Sequence, residues 1–312
     1  MSGTLFIGEQ RRFRRMSLPL KTRILPKHPL SGKAIKSWGI DYFPPAIQAQ
    51  CQTTLETLKT QIAQIHEHHD LIEALTSEAV DQITFFGQLI QSLSQGEQPL
   101  KQKAQMERFK NALQGFKRLS TIEKTSPKAH HLLKLIEEKN RHLYESVRQF
   151  LSQATEHRVS IPAVVPLCKI DEEITLFHQP RYHNIPLAQA LVYLVRYQRL
   201  HQQIWQNILQ DLDENLPLKA WPEQEVSLSM GGLGLQLPKR FPPMVSLHCQ
   251  LALPNLGMES FEGAAVLQKT LLNEGAERVS IDFKFPSAYQ QATIRTQLEL
   301  LEIKHAMEVF GA

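Results

Sequence analysis

Between residues 46 and 215 the apolar positions recur at helical spacing. Ile47, Cys51, Leu55, Leu58, Ile62, Ile65, His69 and Ile72 are spaced 4-4-3-4-3-4-3. That is close to the 3.5-residue period of a coiled-coil seam or helical hairpin, and it predicts a first helix of about 26 residues. Val80, Ile83, Phe86, Ile90 and Leu93 predict a second helix, which stops near Gly96 and Pro99. A third is expected over roughly 100–119. Ser126-Pro127 opens a fourth, with Ser126 as the N-cap, Pro127 at the first helical position, and Leu132, Ile136, Leu143, Val147 and Phe150 as its stripe. Residues 158–186 hold Pro162, Pro166, Pro180 and Pro186 and read as a loop lying over other structure. Leu187, Leu191, Leu194, His201, Trp205 and Ile208 predict a fifth helix, and Pro217 and Pro222 close the region.

From residue 223 the period changes to two. Leu233, Leu235 and Leu237 alternate, as do Val245, Leu247, Cys249, Leu251 and Leu253, and again Val279, Ile281, Phe283 and Phe285. Ala264, Val266 and Gln268 suggest one more strand. Gly231-Gly232, Pro242-Pro243, Pro254-Asn255 and Asn273-Glu274-Gly275 separate them, and short strands at this spacing predict a small barrel or sandwich. Ile294, Leu298, Leu301 and His305 then return to helical spacing, as a closing helix against the barrel would. The set is lean for a closed barrel. Leu18, Leu20 and Ile24 alternate on a further strand candidate that would complete it, placing the helical block between its first and second strands. The predicted class is therefore α+β. Residues 1–45 hold an arginine-bearing loop and the first strand, 46–222 a helical bundle or coiled-coil domain, and 223–312 the rest of an antiparallel barrel with a C-terminal helix.

Composition narrows the function. The chain has 312 residues, 42% hydrophobic and 21% charged, which fits a folded globular protein. Its longest apolar runs, Ile161–Cys168 and Ala190–Val195, are far below the roughly 20 residues a spanning helix needs. Leu5-Phe6-Ile7 followed by Arg11, Arg12, Arg14 and Arg15 lacks the apolar core of a secretory signal. Cys51, Cys168 and Cys249 are too few and too scattered for a disulfide framework or a zinc ribbon, and predict a reducing cytoplasm. The net charge of +4 is uneven. Residues 1–40 hold nine Lys/Arg and one acid, Glu9, so the remainder carries 26 basic and 30 acidic residues. A basic segment on a mildly acidic body predicts a local anionic partner.

Two short elements give that partner an identity. Arg11-Arg12-Phe13-Arg14-Arg15 stands just ahead of the first strand, and Ser227-Leu228-Ser229-Met230-Gly231-Gly232 enters the second block of strands. Together they resemble the PilZ family, small barrels that bind the bacterial second messenger cyclic di-GMP. Arg11 and Arg15 match the family's Arg-x-x-x-Arg motif and Arg12 its doubled form, while Ser229 and Gly232 match the serine and glycine of Asp/Asn-x-Ser-x-x-Gly. The resemblance covers about 15 N-terminal residues, the first strand and residues 223–310, and leaves out the helical block. It implies a cyclic di-GMP site of Arg11, Arg12, Arg15, Ser227, Ser229 and Gly232. Arginine suits that ligand because its planar fork donates to phosphate or to guanine O6/N7 and stacks on bases. Ser227 departs from the family, which has Asp or Asn there. A serine can accept one bond but brings no charge, a loss of about 1–3 kcal/mol, or roughly tenfold to 150-fold in affinity.

The remaining signals point to no catalysis. His66 and His69 could share an ion at i, i+3, but no second ligand pair is placed, so no metal or other cofactor is expected. Asp171-Glu172-Glu173 reads as an acidic surface turn without a partner base. No nucleophile elbow, phosphate-binding loop or dinucleotide fingerprint occurs. The expected protein is a bacterial cytoplasmic signalling module that relays cyclic di-GMP through protein–protein contacts of its helical domain. The alternative is a ligand-independent PilZ-like adaptor or assembly factor of a pilus or secretion system, favoured by Ser227. The helical seam leaves room for a homo-oligomer. Nucleic-acid binding through residues 1–36 ranks last, since few aromatics interleave the cations.

Overall fold

The strand patterns close into a barrel. The computed structural model describes residues 15–27, 39–66, 69–153, 169–213, 215–253, 257–285 and 287–310. Six antiparallel strands run β1 (Arg15–Pro26), β2 (Glu223–Ser229), β3 (Gly232–Leu237), β4 (Ser246–Leu253), β5 (Gly257–Leu271) and β6 (Ala276–Lys284). Their spatial order is β1-β2-β3-β6-β5-β4, and β1 pairs with both β2 and β4 to close the ring. The alternation explains the closure, because the inward positions are mostly apolar, with Thr22 and Glu277 as buried polar exceptions. Leu20, Ile24, Val226, Leu228, Leu233, Leu235, Leu247, Cys249, Leu251, Phe261, Val279 and Ile281 are all buried. A barrel this small has no lumen, and its inward side chains are its core. The strand β2, whose inward residues are Val226 and Leu228, extends the set expected from the sequence. In β5 the register shifts between Ala265 and Leu267, a bulge that leaves Val266 and Leu267 exposed.

The period-3.6 stretches form α1 (Pro45–Ala63), α2 (His69–Ser94), α3 (Lys103–Gln114), α4 (Pro127–Gln153), α5 (Lys169–Glu173) and α6 (Pro186–Leu212), and α7 (Ala288–Phe310) follows the barrel. The strands and α7 belong to one compact unit, and α1–α6 with Leu272–Gly275 to a second. Leu58, Ile83, Leu133, Ile136, Leu191, Leu194 and Val195 meet in the core of the helical unit. A second aromatic centre gathers at Tyr144, whose ring lies 5.5 Å from both Phe86 and Phe109 in edge-to-face contacts. The Tyr144 hydroxyl donates to the Gln82 carbonyl at 2.6 Å. On α7, Ile294 and Leu298 are buried, whereas Tyr289, Leu300, Ile303 and Met307 are exposed, and the His305 side chain lies outside the described residues.

Three helical expectations are corrected. The 26-residue first helix is two helices: α1 ends at Ala63, where Gln64 N–H turns back to the Gln61 and Ile62 carbonyls and Ile65 N–H to Ile62. The seam runs through the break because Leu58, Ile62, Ile65 and Ile72 all enter the same core. The third helix stops at Gln114, since Gly115 takes a φ of 94°, and a separate turn covers Leu119–Ile122. The described part of the stretch read as a loop over 158–186 holds α5 and two single turns, Ile174–His178 and Pro180–Tyr182. Ile170 and Ile174, one turn apart, are buried in the helical core. Nor is Asp171 a surface acid. Its carboxylate, 9% exposed, accepts from Lys139 Nζ at 2.6 Å and Arg199 Nε at 2.9 Å, and Lys139 is itself buried. The second helix ends as expected: Glu97 N–H bonds to the Ser92 carbonyl and Gly96 N–H to Leu93, with Gly96 at φ 76°.

Candidate functional site

The register of four strands builds a flat patch on the outside of the barrel. Arg15 faces Ser229, Ser229 faces Gly232, and Gly232 faces Asp282. One step along, Ser17 faces Ser227, Ser227 faces Gly234, and Gly234 faces Ser280. Directly opposed residues share a face, and the intervening residues Leu228, Leu233 and Ile281 point into the core. The patch therefore has a floor of serine and glycine, with Arg15 at one end and an exposed Asp282 at the other.

Arg15 does not point away from this floor. Its Nη1 lies 3.8 Å from where a Cβ on Gly234 would sit. Gly234 is two strands from β1, roughly 10 Å, so the arginine side chain reaches across Ser227 and Ser229 with its guanidinium over the floor. A larger residue at 227, 229 or 234 would lift it off.

The β2–β3 hairpin holds the floor rigid. Ser229 Oγ donates to the Gly232 carbonyl at 3.1 Å, and Phe283 N–H bonds to the Gly231 carbonyl at 2.9 Å, tying the turn to β6. A Cβ built on Gly232 would stand 2.1 Å from the Ile281 carbonyl oxygen, so only glycine lets β3 approach β6 here. Ser229 is buried and Ser227 half-buried, which leaves the Ser227 hydroxyl the more accessible of the two.

Of the six residues expected from the sequence, the structure brings Arg15, Ser227, Ser229 and Gly232 onto this face. Arg11 and Arg12 lie outside the described residues. Ser17, Gly234, Ser280 and Asp282 also belong to the patch and were not singled out as site residues. Strand parity is the signal that could have found them: all four occupy outward positions between apolar neighbours on the same strand.

Other reactive groups sit elsewhere. Burial pushes the Cys51 thiol up to about 11 and the Cys249 thiol, inside the barrel, to about 12, so neither ionises near neutral pH. His69 Nε2 lies 3.5 Å from Glu73 and His131 Nε2 3.2 Å from Glu173, and no group of three or more metal-ligating side chains converges among the described residues. Among those residues no helix is long and apolar enough to cross a membrane. Comparison of this chain with protein-family models, with curated proteins and with solved structures finds no match.

Proposed function

We propose that the chain is a PilZ-like receptor that binds cyclic di-GMP on the outer face of β1, β2, β3 and β6 and acts through protein–protein contacts of its helical domain, without catalysis. One observation carries this reading: the Arg15 guanidinium lies over a floor of Ser227, Ser229 and Gly234. A flat floor without side chains beyond a hydroxyl accepts a planar purine, and a guanidinium beside it can stack on the base and donate to a phosphate. Arg11 and Arg12, a few residues upstream, would add charge for the two phosphates. Asp282 is the acceptor carboxylate on the patch and can take the N1–H and N2–H donors of a guanine, the role the family gives to the residue at 227. The helical domain, carried between the first and second strands of the barrel, would be the part read by a partner. It responds to ligand only if its alternative arrangements bind cyclic di-GMP with different affinity.

A second reading makes the protein a ligand-independent adaptor or assembly factor, for example of a pilus or secretion system. Ser227 favours it, and so does the Ser229 hydroxyl, which is already engaged by the Gly232 carbonyl. Calorimetric titration of the full chain with cyclic di-GMP separates the two. The receptor reading expects a Kd of about 1 μM or tighter, weakened at least tenfold in Arg11→Ala/Arg15→Ala. A folded wild-type chain that gives no binding heat supports the adaptor.

A further inference from the structure

A cavity lies wholly within the helical unit. It has a volume of about 680 Å³ and opens between α3, the C-terminal half of α4 and the turn Pro99–Lys101. That is the size of a small-molecule site. Its walls are apolar: Leu100, Met106, Leu113 and Leu151 are half-buried around it, and Phe109, 3% exposed, forms its base. Phe109 is fixed from behind by the edge-to-face contact with Tyr144, so the base is preformed.

The charged side chains that line this cavity are all basic. Lys101, Lys110 and Arg148 line it and are exposed, and no carboxylate lines it among the described residues. Arg148 is steadied by Glu145 on its own helix at 2.5 Å. Lys101 and Lys110 have no acidic partner among the described residues. A lysine carries its ammonium on an apolar stem, so it can wall a greasy cavity and still present a cation at its edge. The aliphatic depth and cationic rim are complementary to one ligand chemistry, an unbranched chain ending in an anion.

We infer that this cavity binds a medium- or long-chain carboxylate, with the alkyl chain against Phe109, Met106 and Leu113 and the carboxylate at Lys101 and Lys110. The site is separate from the Arg15 face and makes the helical unit a second point of ligand control. Headgroup recognition comes from charge-assisted hydrogen bonds and chain recognition from burial, so the two are separable by experiment.

The test is titration of the full chain with octanoate, decanoate and dodecanoate below their micellar concentrations, with dodecan-1-ol and dodecyltrimethylammonium beside them. The expected result is saturable 1:1 binding of dodecanoate that tightens about tenfold for each two methylenes added. Lys101→Glu/Lys110→Glu, two surface changes, should weaken dodecanoate at least tenfold and leave dodecan-1-ol within about twofold, since they remove both charge-assisted contacts to the carboxylate. Leu113→Trp should abolish binding of both by filling the cavity, with the circular dichroism of the wild type. No saturable binding, equal binding of dodecyltrimethylammonium, or indifference to the charge reversal would overturn the assignment. The first of these results would leave the cavity to an apolar segment of protein.

Discussion

A methyl group at Gly232 meets a backbone carbonyl, whereas one at Gly234 meets ordinary van der Waals space. The respective nearest atoms stand at 2.1 Å, on Ile281, and 3.8 Å, on Arg15 and Ser227. Gly232→Ala should therefore push β3 from β6 and cost more than about 3 kcal/mol, while Gly234→Ala should stay within about 1 kcal/mol and tend to stabilise, because glycine is a poor strand residue. Urea unfolding of the two variants checks this, and equal costs would mean that the β3–β6 approach is not as close as described. The same pair shows what the sequence discloses at this scale. Gly232 stands out beside a serine in a short motif. Gly234, Ser280 and Asp282 become site residues only through pairing with β2 and β6, and register between strands tens of residues apart is not written in local periodicity.

Elements meet at equally specific places. The α6 residue His201 packs on α2 at Gly87, where a Cβ would lie 2.5 Å from its Cδ2, and its ring faces Phe43 and Tyr197. Burial lowers its pKa from 6.5 to about 4, opposed only in part by the hydrogen bond to the Tyr197 carbonyl. The unfolded chain thus takes up this proton first as pH falls. The stability tied to neutral His201 is present above about pH 6.5 and is lost as pH falls towards 4. The loss between pH 7 and pH 5 comes to about 2 kcal/mol. Denaturant midpoints at the two pH values should show it in the wild type, and His201→Gln should remove that part of the slope; an unchanged slope would place His201 in water. Helix existence was legible from spacing, as α2, α4 and α6 illustrate. The break after Ala63 was not, because Ile62 on α1, Ile65 in the link and Ile72 on α2 reach one core and keep the period intact. Asp171 was misread for a related reason: its partners Lys139 and Arg199 come from other helices.

Across the whole molecule, the barrel depends on a strand far from the rest in sequence. β1 ends at Pro26 and β2 begins at Glu223, yet β1 bonds to both β2 and β4. Without it two sheet edges would lie open, a template for aggregation. A shortened chain in which residues 29–214 are replaced by a flexible Gly/Ser linker of about 15 residues should fold to a barrel with a cooperative unfolding transition. Removal of residues 1–27 should yield aggregates. A linked chain without a cooperative transition would show that the barrel needs the helical residues to fold. The alternation of Leu18, Leu20 and Ile24 already pointed to this strand, whereas pairing on both its edges needed the structure.

The proposed cyclic di-GMP site is the floor beneath Arg15, and one substitution tests it there. Gly234→Val raises a branched side chain from the middle of that floor, where the nearest atoms leave room for its Cβ. The measurement is calorimetric titration of wild type and Gly234→Val with cyclic di-GMP, each first shown to unfold cooperatively. The expected result is wild-type binding at about 1 μM or tighter and a loss of at least tenfold in the variant. A variant that binds as tightly as the wild type would contradict it, and so would a folded wild type that does not bind.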